Sequence, residues 1–267
     1  MQVGPIVIHT YIALMYLGLG VGSVLAILEV RRRGLEVSGV VDAALAAGVG
    51  SLLVGRAVYV GFHWAYYGSH LGEAIRVWAG GLAWQGALIG GVVGAAVVTA
   101  TQGASLPTML DVMTPGAASL ATCGWLACHA VGCAYGVETY PGQGLLWTLS
   151  RDLPNLYGIR EPRVAVQLVG AGWSALLLGG VLLGQRNVRR SGVIFALWVT
   201  LQSLGAFSLG FLRADEMAMV AGWDVPAGWR ADQVVNLLLA SGGVVMAVGR
   251  MTAAPPATFL SNHRRVV

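Results

Sequence analysis

Few residues in this sequence could do chemistry, and long apolar runs separate them. Arg56 lies in Val54-Gly55-Arg56-Ala57-Val58-Tyr59. Trp84-Gln85-Gly86 opens the third apolar run, and Asp111-Val112-Met113-Thr114-Pro115 begins the fourth, with Cys128-His129 and Cys133 near its far end. An ionisable group at membrane depth is expensive and faces a cavity or a partner. Arg56 therefore has two readings. It snorkels toward an interface, or it is a fixed cation for a lipid phosphate, whose oxygens its planar fork can hold bidentately. Cys123, Cys128 and Cys133 stand five residues apart, a rotation of roughly 140° per step on a helix, so they share no face. Cys128, His129 and Cys133 could ligate a metal only if the helix broke near Gly132, and no fourth ligand is evident. No metal is expected, and the cysteines read as small apolar thiols buried in helix contacts. No nucleophile elbow, zinc-protease motif or phosphate-binding loop is present.

The elements that carry these residues follow from composition. Of 267 residues, 56% are hydrophobic and only 10% charged, against about 25% charged in a soluble domain. Too few polar residues remain to cover a water-facing surface. In lipid the backbone must pair with itself, which leaves helices or a closed barrel, and apolar stretches near 20 residues fit helices. The short alternating segments of a barrel are missing. The expected fold is an all-α polytopic membrane protein. Its seven spans fall near 4–29, 38–64, 82–101, 107–136, 163–184, 191–212 and 232–250, forming one transmembrane domain over 1–250, with a loose tail over 251–267. The apolar N-terminal run lacks a basic leader and reads as the first span, not as a cleavable signal peptide. Gly86, Gly90, Gly91 and Gly94 inside one run read as a close-packing stripe between helices.

Every basic residue is Arg. Arg31, Arg32, Arg33, Arg186, Arg189, Arg190, Arg250, Arg264 and Arg265 fall on one side of the predicted spans. Arg76, Arg151, Arg160, Arg163, Arg213 and Arg230 fall on the other. The first set lies hard against span ends, so the positive-inside rule places it in the cytoplasm, with the N-terminus outside and the C-terminus inside. The basic residues form no single patch suited to nucleic acid.

Taken together, these segments resemble the prolipoprotein diacylglyceryl transferase family over nearly the whole chain. His9-Thr10-Tyr11 with Leu14-Met15-Tyr16-Leu17 resembles the first-span signature. Val54 to Tyr59 resembles a Gly-Arg-x-Gly-Tyr stretch. Arg76 to Gly90 resembles a segment with Trp, a Gly pair and an aromatic-His-Gly group. Asp111 to Pro115 resembles Asp-x-x-x-Pro, and Gly132 to Gly136 a Gly-Cys-Cys-Tyr-Gly variant; Gln167-Leu168 and Gln233 match later glutamines. The resemblance implies seven spans in the bacterial cytoplasmic membrane. It also implies transfer of a diacylglyceryl group from phosphatidylglycerol to a lipobox cysteine. It assigns lipid-phosphate binding to Tyr11, Arg56 and Arg213, and a cavity lining to Trp84, Gln85, Asp111, Trp125, Cys128, Gln167 and Gln233. No cofactor is implied other than bound phospholipid.

The departures bear on activity. The family's third-span His is Gln85, which cannot act as a base. The fourth-span Arg, Asn and Glu fall at Trp125, Cys128 and Cys133. The His, Tyr and Glu of a His-Pro-x-Gln-Leu-Tyr-Glu stretch fall at Val164, Val169 and Gly170, and the sixth-span Arg and Glu at Ala206 and Gly210. His9 and His129 are the only in-span histidines that could substitute, and each also reads as a structural hydrogen bond. The favoured expectation is a catalytically degenerate relative: a lipid clamp or structural subunit of a membrane complex, with a greasy pocket for an acyl chain, a quinone or a pigment tail. The alternative is an active transferase acting on lipobox preproteins. A transporter lacks support, since no inverted repeat or pair of broken helices is evident.

Overall fold

The computed structural model describes residues 2–3, 6–7, 10–77, 80–155, 157–215 and 229–252. Two short strands, β1 (Gln2–Val3) and β2 (Ile6–Val7), precede α1 (Thr10–Arg33) and α2 (Val37–Phe62). Two single-turn helices, α3 (Trp64–Tyr67) and α4 (Leu71–Ala74), lead to α5 (Trp84–Gln102) and α6 (Leu106–Val131). A short α7 (Leu145–Thr148) and the antiparallel hairpin β3 (Ser150–Pro154) and β4 (Arg160–Val164) come next. The chain ends in α8 (Val166–Asn187), α9 (Val193–Gly210) and α10 (Ala231–Thr252).

The protein is an α-helical polytopic membrane protein. Among the described residues, six helices are long and apolar enough to cross a membrane: α1, α2, α5, α8, α9 and α10. α6 is long enough, at 26 residues, but less apolar. The usual polarity of a globular fold is inverted. Tyr16, Leu45, Leu53 and Val245 are exposed, while Gln167, Gln233, Asn236 and Asp111 are among the largest fully buried side chains. Lipid is the solvent that such a surface suits, and polar groups within the bundle then find partners in its interior.

Small residues set the helix pairs. α2 packs most extensively on α5, α1 on α6, and α9 on α10. A Cβ on Gly86 would fall 2.6 Å from the Val54 carbonyl oxygen; one on Gly90 would strike the Gly50 carbonyl, and one on Gly94 the Ala46 carbonyl. The predicted stripe on α5 is thus the face that meets α2, backbone to backbone. On α1, a Cβ at Gly22 would lie 2.7 Å from Gly116 Cα of α6.

Helix ends differ from the predicted spans for local reasons. α6 stops at Val131 because Gly132 adopts a left-handed conformation, φ 75°, and donates its N–H to the Cys128 carbonyl. This is a common helix terminator. α2 stops at Phe62, short of 64. Arg163 and Val164 belong to β4, paired with Arg151 and Ser150, so α8 begins only at Val166. α1 runs on to Arg33, its last turn holding Arg31, Arg32 and Arg33, where cations complement the helix dipole.

Candidate functional site

At one end of the bundle α2, α6 and α9 finish while α5, α8 and α10 begin. There the chain leaves α9 at Gly210 and turns into Arg213, whose backbone forms an antiparallel bridge with Gly136. Val137 N–H donates to the Leu212 carbonyl and Ala214 N–H to the Tyr135 carbonyl, each at 2.9 Å. Residues 136–138 bridge β4 on their other edge, through Glu138 and Arg163. A Cβ at position 136 would strike the Val164 carbonyl, so only glycine fits between these strands. The loop before α8 therefore holds Arg213 in place.

The Arg213 guanidinium donates to Asp215 through Nε at 2.9 Å and Nη2 at 2.5 Å, and to Asp232 through Nη1 at 3.1 Å. Arg230 answers from the start of α10. Its Nε donates to Asp232 at 2.9 Å, its Nη2 to Asp215 at 3.3 Å, and its Nη1 to the Asp215 carbonyl at 2.9 Å. Two arginines and two aspartates thus alternate in a ring at the bundle end. Burial works against the charge of Arg213, but the two carboxylates outweigh it and raise its pKa above the usual arginine value. Below the ring, Gln85 Nε2 donates to Asn236 Oδ1 at 3.2 Å and reaches the Asp232 carbonyl at 3.5 Å. Gln233 accepts from Arg230 N–H at 2.8 Å and donates to the Phe207 carbonyl at 3.0 Å. The structure brings together Arg213, Gln85 and Gln233 of the predicted site.

The sequence reading missed Arg230, Asp215, Asp232 and Asn236. A signal was present: the tripeptide Arg-Ala-Asp occurs at 213–215 and again at 230–232, and both copies build the ring.

Other predicted site residues lie elsewhere or do something else. Arg56 is buried, and its donors engage its own chain. Nε donates to the Ala74 carbonyl at 2.8 Å, Nη1 to the Gly80 and Gly81 carbonyls at 2.5 and 3.0 Å, and Nη2 to the Glu73 carbonyl at 2.8 Å and Tyr67 Oη at 3.5 Å. Five N–H groups meet five acceptors, the full capacity of a guanidinium. Its rings are Tyr59 and Tyr67, with centroids 5.6 and 5.2 Å from Cζ. Arg56 neither snorkels nor presents a free fork to phosphate; it pins the connection from α2 to α5. Tyr11 is exposed on α1, and Trp84 is half-buried at the start of α5. His9 lies outside the described residues.

Asp111 sits at the opposite end of the molecule, near the start of α6 and about 26 Å along that helix from Cys128 at 1.5 Å per residue. It is fully buried and accepts from the N–H groups of Gly192 at 2.7 Å and Phe195 at 2.9 Å. It caps the N-terminus of α9, where orphan N–H groups and the helix dipole favour a carboxylate. It does not line a cavity with the Arg213 group.

Cys128 and Cys133 form a disulfide. The expectation of separate buried thiols is corrected for this pair: the turn at Gly132 brings the second cysteine back to the first. Cys123 remains free and packs against Gly18 of α1. Gln167, fully buried at the start of α8, donates to the Cys133 carbonyl at 2.9 Å. Among the described residues no three His, Cys, Asp or Glu side chains come together in a metal-binding group.

The model of the family described as prolipoprotein diacylglyceryl transferase matches residues 1–249. The chain belongs to this family. It is 27% identical to the phosphatidylglycerol–prolipoprotein diacylglyceryl transferase of Listeria monocytogenes over 279 aligned positions, covering 100% of this chain and 94% of that one. It is 27% identical to the Clostridioides difficile protein of that name over 88% of each chain. The Bacillus licheniformis protein of that name matches at 40% over 114 residues, 43% of this chain and 42% of that one, so this stronger match spans less than half of either.

Several positions that the family resemblance equates with polar residues are closely packed in the structure. Trp125 packs its ring on Gly170, where a Cβ would lie 2.5 Å from Cδ2. Gly210 faces Gln233, where a Cβ would lie 2.6 Å from Cγ. Cys128 and Cys133 are joined to each other. At these positions the structure shows ring-on-glycine packing, amide-on-glycine packing and a covalent bridge.

Proposed function

We propose that this family member binds phosphatidylglycerol at the Arg213 end of its bundle, as a lipid-handling protein of the bacterial cytoplasmic membrane that has lost the transfer step. The packing of Trp125 on Gly170, the close approach of the retained Gln233 to Gly210 and the Cys128–Cys133 bridge support this reading. Removing one contact made only in a transition state costs about 3 kcal/mol. Here a base, at least two phosphate-facing cations and their carboxylates are replaced together. Arg213 and Arg230 remain as cations, and a phosphodiester could share them with Asp215 and Asp232 in charge-assisted bonds. In this reading α6 is the seventh span, enclosed by more apolar neighbours, and the arginine bias sets the N-terminus outside.

The second reading is an active transferase modifying lipobox cysteines of prolipoproteins. It is favoured by end-to-end similarity to relatives that bear the transferase name. One experiment separates the two. The purified protein is embedded in phosphatidylglycerol nanodiscs and given a lipobox peptide, and the peptide mass is followed. Retained phosphatidylglycerol with an unmodified peptide is the expected result. Peptide lipidation that disappears in Arg213→Ala would establish the transferase instead.

A further inference from the structure

Beside the Arg213 strand lie two buried polar atoms without a hydrogen-bond partner among the described residues, Arg163 Nε and Gln167 Oε1. Their residues are 4% and 1% exposed, so bulk water does not serve them. They stand four positions apart where β4 passes into α8, and both grip the same segment, 133–138. Arg163 Nη2 pairs with Glu138 at 2.5 Å, its Nη1 reaches the Gly136 carbonyl at 3.5 Å, and its guanidinium lies 5.3 Å from the Tyr135 ring centroid. Gln167 uses its amide N–H on the Cys133 carbonyl. The other edge of that segment carries Arg213, through the bridge to Gly136. Buried polar groups nearly always find a partner. Here one unmatched donor and one unmatched acceptor lie against the strand that holds Arg213.

A hydroxyl group is both an acceptor and a donor, the chemistry that one unmatched donor and one unmatched acceptor call for. We propose that Arg163 and Gln167 form a hydroxyl-recognising subsite that takes a headgroup hydroxyl of a glycerol phospholipid whose phosphate is held at Arg213. The proposal deepens the phosphatidylglycerol reading and rests on it. A trapped water offers the same chemistry from another source.

The test compares two anionic phosphodiester lipids, phosphatidylglycerol and phosphatidylethanol, the second lacking headgroup hydroxyls, with phosphatidylcholine as background. Equimolar mixtures are presented to the full-length protein, and bound lipid is counted by native mass spectrometry. The wild type is expected to prefer phosphatidylglycerol by roughly two- to tenfold, the range of one or two net hydrogen bonds. Gln167→Met and Arg163→Lys are each expected to bring the ratio of phosphatidylglycerol to phosphatidylethanol bound down to about one, whatever the total uptake. Arg213→Ala is expected to lower uptake of both. A wild type that takes both anionic lipids equally would leave the phosphate site standing and overturn the hydroxyl subsite, leaving only a buried water. A preference that survives in both variants would overturn it as well. Uptake of neither lipid above phosphatidylcholine would overturn the subsite and the phosphatidylglycerol reading together. If Gln167→Met does not elute as a monodisperse protein, Arg163→Lys and the wild-type lipid pair decide the matter.

Discussion

The five donors of Arg56 all end on acceptors between Tyr67 and Gly81, so this side chain is the frame of a connection. Arg56→Ala would remove the donor of five charge-assisted bonds, to four carbonyls and a phenol that are themselves only partly buried or exposed, each such bond contributing at most about 1.5–3 kcal/mol. A loss of at least 3 kcal/mol is expected, read as a fall in thermal midpoint in detergent with new protease cleavage between residues 63 and 83. Lys has three donors instead of a fork, so Arg56→Lys should recover little of it. Gly210→Glu, which reinstates a carboxylate at a position the family resemblance points to, should not restore chemistry. Its Cβ would meet Gln233 at 2.6 Å, and overpacking of this kind costs about 1–3 kcal/mol. The variant should unfold earlier than the wild type and leave a lipobox peptide unmodified. At this scale the sequence was legible as to which positions are polar in an apolar chain: Arg56, Gln85, Asp111, Gln167 and Gln233 are all buried. It was not legible as to partners. Whether a guanidinium meets a phosphate or five backbone oxygens depends on a loop path that residue type does not encode.

At the scale of elements, α2 and α5 touch through backbone, and the glycine stripe on α5 was readable in advance because small residues recur on one face. Gly90→Leu would force the helices apart at the Gly50 carbonyl. The expected outcome is loss of folded, monodisperse protein after detergent extraction, whereas Val93→Leu on the exposed face should behave as wild type. Asp111 links α6 to α9, and Asp111→Ala should cost about 0.5–2 kcal/mol, as for other lost helix caps. Thermal unfolding checks this, with Asp111→Asn, which keeps an acceptor oxygen, falling between the two. The hairpin β3–β4 escaped the sequence reading. Its strands, Ser-Arg-Asp-Leu-Pro and Arg-Glu-Pro-Arg-Val, contain proline and little alternation. They exist because residues 136–139 pair with β4 on one side and with 212–213 on the other, a long-range arrangement with no local signature.

The molecule as a whole has one end built around the arginine–aspartate ring and the disulfide, and another built around Asp111 and the clustered arginines Arg31 to Arg33, Arg186, Arg189 and Arg190. Disulfides persist in oxidising compartments, which suits the orientation proposed above for the end that carries the Cys128–Cys133 bridge. Protein extracted from membranes without reductant should accept one maleimide, at Cys123, after unfolding, and three after reduction; three before reduction would refute the bridge. A bundle of long apolar helices was legible because length and apolarity are summed properties that tolerate local error, but the order of packing around α6 was not. That helix has consequences for biogenesis. It is long, contains Pro115 and buried Asp111, Thr114 and Ser119, and falls short of the apolarity of its six companions, yet it touches α1, α2, α5, α8 and α9. A segment of that kind partitions poorly into lipid alone, because each polar residue at depth opposes insertion. On the proposed reading that α6 spans the membrane, α1 is already made to receive it and α8 and α9 complete its burial, so ribosome-bound chains cut short after α6 should leave that helix more open to aqueous labelling than full-length chains do.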